Sequence, residues 1–371
     1  MDGILLPVST PEQSGLRPDA LARLVACIDG HVASGRYLGA QVAIARHGNL
    51  AFWHSFGEAD SGRATADDTP FLLYSNTKVV TAAALWVLAE HGALRFTDRV
   101  ADHLPEFAHH GKQDVTLLHL LTHQGGFPDA VAPPAVYTDH GLLRRAVCDF
   151  NLQWTPGSRV FYHPSSAHWA AAAVIEAITG QDFRAAIREL VIVPLGLDGE
   201  LFVGVPDAVL PRCAGMFEPG EGGLVRHADD TDARKRAGVP GGGGYGSARA
   251  MAAFYQHLLH GGGLHGRRLV GPRTLVYALR DITGERAAEQ CGYPMHFALG
   301  PYTRGNTIPA SDLGIAAGPR TFGHGGAGSS LCWGDPDTGV SFAYVSNARH
   351  NDPWHSRRMD TLSHLIQGAI L

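Results

Sequence analysis

The spacing of apolar residues predicts a chain whose two ends form a sheet and whose middle is helical. Apolar residues recur at helical spacing from residue 18 to 33, and two β-rich runs around a turn at residues 47–49 follow as a hairpin. From residue 69 to about 194 the pattern is mostly helical. Two late strands joined by a turn at residues 335–339 precede a closing helix over residues 355–371.

Strands at both ends with helices between them predict one domain that is interrupted by another. We expect residues 1–70 and 240–371 to form an α/β domain, with a mainly helical domain, residues 71–239, inserted into it. The cleft between them is the expected site. Residues 199–246 are rich in glycine and proline and lack periodicity, which predicts a long irregular loop that, with residues 129–140, walls the cleft.

One lysine stands at the start of a helix that is otherwise apolar. Residues 79–88 are apolar almost throughout, which is typical of a helix buried on all sides, and Lys78 directly precedes them. Burial would lower the pKa of this amine, and Ser75 lies on the same helix face, three residues earlier. A serine nucleophile beside a lysine base is one interpretation. The alternative is that Ser75 caps the helix and Lys78 extends to solvent.

Composition excludes several classes of function. The 371 residues carry a net charge of −5 without a basic run, so we expect no nucleic-acid partner. No segment approaches the ~20 apolar residues of a membrane span. The 21 histidines are scattered, without H-E-x-x-H or C-x-x-C spacing, and we expect no metal. The five cysteines are widely spaced and the amino terminus lacks a signal-peptide pattern, so we expect a cytoplasmic protein with reduced thiols.

Two more stretches carry candidate chemistry. Tyr162 lies just before a predicted helix, where its phenol could relay protons near Lys78, or it could simply pack in the core. The run His324-Gly325-Gly326 is predicted at the entry of a late strand, where glycines allow close approach of a ligand. The N–H of Ala327 would then face the cleft, but an ordinary tight turn is the alternative reading.

Two common motifs were considered, and neither supports a function here. The run GGGGYG, residues 241–246, satisfies G-x-G-x-x-G, but no strand precedes it and no βαβ unit surrounds it, so we expect a flexible loop and no dinucleotide site. The motif G-x-S-x-G is absent from the sequence, which argues against an α/β-hydrolase.

Three signals therefore follow one another along the chain: Ser75-x-x-Lys78, Tyr162-x-Pro164 and His324-Gly325-Gly326. Together with the stretches LLHLLTHQGGF (117–127) and TPGSRVFYHPSSAHW (155–169), they resemble the serine β-lactamase and penicillin-binding-protein superfamily, in particular its branch of class C β-lactamases and carboxylesterases. The resemblance implies an α+β, β-lactamase-like fold, in which an antiparallel sheet is flanked by the N- and C-terminal helices and carries an inserted all-α domain.

The resemblance also implies roles for individual residues. Ser75 would be the nucleophile that accepts an acyl group, and Lys78 with Tyr162 would transfer protons. The N–H groups of Ser75 and Ala327 would bind the oxyanion, while His324, Gly325 and Gly326 would line the substrate site. No cofactor is implied.

Two residues depart from the family pattern, and both departures favour esters. Pro164 replaces the asparagine or serine of Y-x-N or Y-x-S, which removes a donor for an acylamino side chain. His324 replaces the lysine of K-T-G, so a positive charge for an anionic substrate is less expected. We expect a serine hydrolase acting on small acyl esters, lactones or amides. A β-lactamase, an acyltransferase, a D-amino-acid peptidase and an inactive binding relative are the alternatives, and the oligomeric state stays open.

Overall fold

The computed structural model describes residues 5–307 and 313–371. Residues 1–4, which open the stretch lacking a signal-peptide pattern, and residues 308–312 lie outside this description. The α-helices are α1 Pro18–Ala33, α2 Thr77–Glu90, α3 Val100–His103, α4 Leu117–Leu121, α5 His140–Cys148, α6 Ser166–Thr179, α7 Phe183–Ile187, α8 Asp232–Ala237, α9 Ala248–Leu259, α10 Pro272–Ala278 and α11 Trp354–Gln367.

The strands form one large sheet and several small ones. They are β1 Gly39–Arg46, β2 Asn49–Asp60, β3 Arg63–Ala64, β4 Phe71–Leu72, β5 Leu201–Val203, β6 Phe217–Gly220, β7 Gly223–Arg226, β8 Gly244–Gly246, β9 Gly263–Leu264, β10 Arg267–Arg268, β11 Ala287–Ala288, β12 Tyr293–Pro294, β13 Tyr302–Thr303, β14 Phe322–Gly326, β15 Ser330–Asp335 and β16 Val340–Ser346. The main sheet has the order β13-β14-β15-β16-β1-β2-β3 and is antiparallel.

Both ends of the chain build this sheet, as the sequence predicted. β1 pairs with β16 from Ala40 opposite Ser346 to Arg46 opposite Val340. Side chains alternate along β1, so Val42 and Ile44 face one layer while Ala43 and Ala45 face the other. Helices α1 and α11 pack together on the first face, and α9 covers the second. The predicted α+β fold, with an antiparallel sheet flanked by terminal helices, is confirmed.

Helix α2 runs through the largest hydrophobic core, with every residue from Thr77 to Leu88 buried. Helices α4, α5 and α7 pack around α6, and α2 lies against α6. No helix in the described part of the chain combines the length and apolarity needed to cross a bilayer. The domain limits of residues 1–70, 71–239 and 240–371 stay a prediction.

A second buried lysine in the helical region has a structural role. The amine of Lys112 donates to the carbonyls of His109 at 2.8 Å and Cys148 at 2.9 Å, and also to that of Phe150. Cys148 is the last residue of α5, and a cation there stabilises the free carbonyl end of a helix. Burial lowers the pKa of Lys112 to about 8. A buried lysine is thus no proof of chemistry by itself.

The prediction of an irregular loop over residues 199–246 is wrong. This segment contains β5, the β6–β7 hairpin, α8 and β8, and β8 is the central strand of a small sheet between β4 and β5. Sequence periodicity could not reveal β8 because three of its neighbouring residues are glycines. Within β8 itself, Gly244 is required because the strand passes close to α2: an added Cβ would lie 2.8 Å from the Thr77 hydroxyl.

Candidate active site

Ser75 lies in a 3₁₀ turn, Tyr74–Asn76, that leads directly into α2. The preceding residue, Tyr74, holds a left-handed backbone with φ 45°, which is uncommon for a side chain of this size. Surrounding bonds fix the turn: Asn76 Nδ2 donates to Ser330 Oγ at 3.0 Å, and Ser330 Oγ donates to the Leu73 carbonyl at 2.9 Å. Strand β15 therefore holds the turn in place, and Ser75 remains partly exposed.

Lys78 sits beneath Ser75 with no exposed surface. Its amine contacts three oxygen atoms: Ser75 Oγ at 3.1 Å, the Pro164 carbonyl at 2.8 Å and the Gly241 carbonyl at 2.5 Å. No carboxylate in the described part of the chain pairs with this amine, and burial lowers the pKa of Lys78 from 10.5 to about 7. Extension of this lysine to solvent, the alternative reading of the sequence, is wrong.

Tyr162 completes the contacts of Ser75. Its hydroxyl donates to Ser75 Oγ at 2.9 Å, and its ring centroid lies 5.0 Å from the Lys78 amine. The residue stands on the segment before α6, and its backbone N–H donates to Gln290 Oε1 at 3.3 Å. Lys78 and Tyr162 thus both contact Ser75 Oγ, although Tyr162 lies 87 positions after Ser75 in the chain. The sequence predicted that these three side chains lie close together.

His324 is more deeply buried than the sequence suggested. It lies within β14, not at its entry, and only 1% of its surface is exposed. Nδ1 donates to the Gly325 carbonyl at 2.7 Å, and the ring stacks on Tyr302 at a centroid distance of 4.2 Å. Burial and then the charge of Lys78 lower the pKa of His324 to about 3, so the ring stays neutral.

The glycines of β14 bring this strand against the serine turn. A Cβ on Gly326 would lie 2.5 Å from the Leu73 carbonyl and 2.0 Å from Ser330 Oγ, so only glycine fits there. Gly325 pairs with Leu331 of β15. Ala327 follows at the end of β14 and is exposed. Strand β14 therefore ends beside the turn that carries Ser75.

Sequence reasoning missed the two carbonyls that hold Lys78. Pro164 was considered only because it replaces the asparagine or serine of the family motif. Gly241 is the first residue of the run that was predicted to be a flexible loop. The prediction of a flexible loop is wrong at this residue, because Gly241 packs against Pro164 and His168: an added Cβ would lie 3.3 Å from each. A backbone carbonyl is carried by every residue type, so no residue pattern signals it.

A family model supplies the decisive comparison. Residues 24–365 match the model of the family described as Beta-lactamase. The chain belongs to this family.

Named relatives of this β-lactamase-family chain include esterases. It is 28% identical over 319 residues to Esterase/beta-lactamase LipL of Mycobacterium tuberculosis, covering 76% of this chain and 70% of that protein. It is 34% identical over 273 residues to Esterase EstB of Burkholderia gladioli, covering 63% of this chain and 69% of that protein. The crystal structure of a family VIII carboxylesterase superposes with a TM-score of 0.80 at 26% identity, covering 94% of this chain and 98% of that one.

One group of side chains in the described part of this β-lactamase-family chain has metal-ligand chemistry. Atoms of His140, Glu176 and Asp182 approach one another within 4.8 Å. However, His140 already contacts both carboxylates, and the Arg184 guanidinium contacts Asp182 and His140 Nε2. A cation there would meet the arginine charge, so we interpret the group as an ion-pair network.

A groove of about 980 Å³ lies in the helical region, away from Ser75. Its lining includes Asp129 and Val131 from the predicted cleft wall, but none of the predicted site residues. Charged groups in it pair with each other, as Arg144 does with Glu106 at 2.8 Å. The groove therefore does not contain the candidate chemistry.

Proposed function

We propose that the protein is a serine hydrolase that cleaves small carboxylic esters through an acyl-enzyme on Ser75. The observation that carries this proposal is the position of Ser75 Oγ, which lies 3.1 Å from the Lys78 amine and 2.9 Å from the Tyr162 hydroxyl. Membership of the β-lactamase family and relatives named as esterases support it. A hydroxyl held between an amine and a phenol is a nucleophile beside a proton acceptor.

The hydrogen bonds of Lys78 favour a base that faces Ser75. A neutral amine has two N–H donors and one lone pair, whereas the carbonyls of Pro164 and Gly241 can only accept. Both N–H groups are therefore used by these carbonyls, and the lone pair is left for the Ser75 hydroxyl. With a pKa of about 7, a large part of the protein carries this neutral form near neutral pH.

The proposed reaction has two halves. Ser75 Oγ attacks the acyl carbonyl while its proton moves to Lys78, and the Tyr162 hydroxyl then protonates the departing alkoxide and regains a proton from the Lys78 ammonium. Water cleaves the acyl-enzyme and releases the acid. For the tetrahedral oxyanion we propose the N–H groups of Ser75 and Ala327, which the close contact between Gly326 and the Leu73 carbonyl supports.

The charge of the site favours uncharged substrates. His324 is neutral and buried, so it offers no cation at the position where the family pattern has lysine. Lys78 is enclosed by its three oxygen partners and has no exposed surface. Tyr162, Tyr302 and His324 instead present aromatic rings within 6.3 Å of one another. We therefore propose an ester or lactone, without a required carboxylate, as the substrate.

We propose a cytoplasmic protein, because all five cysteines are free thiols and reduced thiols are typical of that compartment. The proposed partner is a small-molecule ester, and the proposed chemistry uses no cofactor.

The first test is hydrolysis of p-nitrophenyl butyrate by the purified protein beside Ser75→Ala. A matched control is Ser158→Ala, which removes a surface hydroxyl that donates to the Thr155 carbonyl. We expect turnover in the wild type and in Ser158→Ala and none in Ser75→Ala. A chromogenic cephalosporin in parallel measures β-lactamase activity. Ester turnover that survives in Ser75→Ala refutes the proposal, and turnover of the cephalosporin alone replaces the esterase by a β-lactamase.

A further inference from the structure

One buried histidine contacts the backbone on both sides of Tyr162. The N–H of Phe161 donates to the carbonyl of His123 at 3.0 Å. The N–H of His163 donates to Nδ1 of the same His123, also at 3.0 Å. The residues immediately before and after Tyr162 are therefore both anchored to a single residue from the loop that follows α4.

The ring of His123 also packs against Tyr162 itself. The two ring centroids are 4.5 Å apart with a tilt of 41°. Phe297 lies 4.6 Å from the His123 ring and 6.4 Å from the Tyr162 ring, so the three rings form one cluster. His123 has no exposed surface. His123 thus contacts both the ring of Tyr162 and the backbone next to it, and the phenol of this ring donates to Ser75.

The protonation state of His123 is fixed by its bonds. Because Nδ1 accepts from a backbone N–H, the neutral ring carries its proton on Nε2. Nε2 has no hydrogen-bond partner among the described residues and is fully buried. Burial, together with the charges of neighbouring histidines and of Lys78, keeps the pKa of His123 well below its ordinary value. The ring therefore supports Tyr162 as a neutral group and adds no charge beside the Lys78 amine.

The backbone of His123 adopts a left-handed conformation with φ 57°. Such a conformation is uncommon outside glycine, and asparagine tolerates it well. It is retained where the surrounding contacts hold it, as the two bonds around Tyr162 do here. Asparagine at this position also offers an oxygen close to the place of Nδ1, so it can keep the bond from the His163 N–H while removing the ring.

We propose that His123 is a positioning residue for Tyr162: it anchors the backbone on both sides and packs on the ring, so that the phenol points at Ser75 Oγ. The inference rests on the proposed function, in which Tyr162 transfers a proton. His123 touches neither the substrate nor the reacting oxygen in this scheme, and its effect is transmitted only by Tyr162.

The test is a double-mutant cycle with His123→Asn and Tyr162→Phe, measured on p-nitrophenyl butyrate. Tyr162→Phe keeps the packed ring but removes the hydroxyl. In the wild-type background we expect His123→Asn to lower kcat by about 10- to 100-fold, the scale of a small misplacement of a reacting group, with KM changed less than about 3-fold. In the Tyr162→Phe background the same substitution should lower kcat by less than about 3-fold.

A matched control is His257→Gln, which removes another buried histidine, on α9, and should leave kcat unchanged. An equal loss of kcat in both backgrounds overturns the inference, because His123 would then act independently of the phenol. If Tyr162→Phe keeps the full rate, the proposed role of Tyr162 itself is wrong. If Tyr162→Phe loses its rate and His123→Asn does not, only the inference about His123 fails.

A second variant covers the case in which His123→Asn does not fold. Phe297→Leu removes the third ring of the cluster, which lies 4.6 Å from the His123 ring and 6.4 Å from the Tyr162 ring, and leaves the bonds from the N–H groups of Phe161 and His163 to His123 in place. We expect a smaller loss of kcat, about 3-fold, that again disappears in the Tyr162→Phe background. An unchanged kcat in Phe297→Leu would overturn the proposal that the ring cluster positions Tyr162.

Discussion

Substitution of Lys78 by methionine removes a titrating amine from the core while keeping an unbranched side chain of similar length. Burial lowers the pKa of Lys78 from 10.5 to about 7. Between these two pH values the unfolded chain holds a proton that the folded protein has released. Stability rises with pH wherever the unfolded state binds more protons, by about 1.4 kcal/mol per pH unit for each proton.

The sign and the window follow from the two pKa values. Above pH 10.5 the Lys78 amine is neutral in both the folded and the unfolded protein, and its contribution to the free energy of unfolding has its full value. As the pH falls from 10.5 to about 7, this contribution is progressively lost. Below about pH 7 the amine is protonated in both states. The free energy of unfolding of the wild type should therefore rise relative to Lys78→Met by about 1.4 kcal/mol between roughly pH 8 and pH 9. Over the whole window the change is on the order of 5 kcal/mol.

Urea unfolding followed by tryptophan fluorescence measures this difference at several pH values. Ser75→Ala is the matched control, because it keeps the Lys78 amine and should follow the wild type. The other titrating groups are common to all three proteins, and the buried histidines whose pKa the Lys78 charge lowers are neutral above about pH 8, so they do not contribute to the difference there. A difference between wild type and Lys78→Met that stays constant from about pH 7 to pH 10 would refute the reasoning. It would mean that the buried amine stays protonated and is unable to accept a proton from Ser75 near neutral pH.

Three further predictions concern the site and its surroundings. Because protonation disables the Lys78 base, kcat/KM for p-nitrophenyl butyrate should fall below about pH 7, and a profile that is flat down to about pH 5 would contradict this. Lys112→Met removes the amine that donates to the carbonyls of Cys148 and Phe150, both in buried residues, so urea unfolding should show a loss of about 3 kcal/mol with kcat unchanged; a loss of kcat would contradict the structural role. Gly326→Ala forces a Cβ against the Leu73 carbonyl and should lower both Tm and kcat, whereas Gly30→Ala, on α1 with open space around it, should lower neither.

Strong periodicity made much of the fold predictable. The helix expected over residues 18–33 has those bounds in the structure, because its apolar residues repeat at helical spacing with few interruptions. The pairing of the two chain ends in one sheet also followed, since strand patterns occurred near both ends. The small sheet around β8 was missed because its glycines carry no apolar side chains, and close approach to α2 is visible only in three dimensions.

The candidate site was predictable as far as side-chain chemistry reaches. A serine three residues before a lysine on an apolar helix can be recognised along the chain, and Tyr162 could be added through the family resemblance. The carbonyls of Pro164 and Gly241 were beyond that reasoning, because a main-chain acceptor has no residue signature. His123 was hidden for a different reason: it is one of 21 histidines, and only its contacts distinguish it.

The pairing of β1 with β16 also determines when the serine turn can form during synthesis. β1 emerges early from the ribosome with β2 as its neighbour, but its other edge stays open until residue 346 has been made. The bonds from Ser330 to the Asn76 side chain and the Leu73 carbonyl are equally late. A nascent chain that ends before residue 330 therefore holds Ser75 and Lys78 without the strand that shapes their turn. Assembly of the site must wait for nearly the last strand, and until then one edge of β1 has no strand to pair with, which is where a nascent chain is prone to wrong pairing.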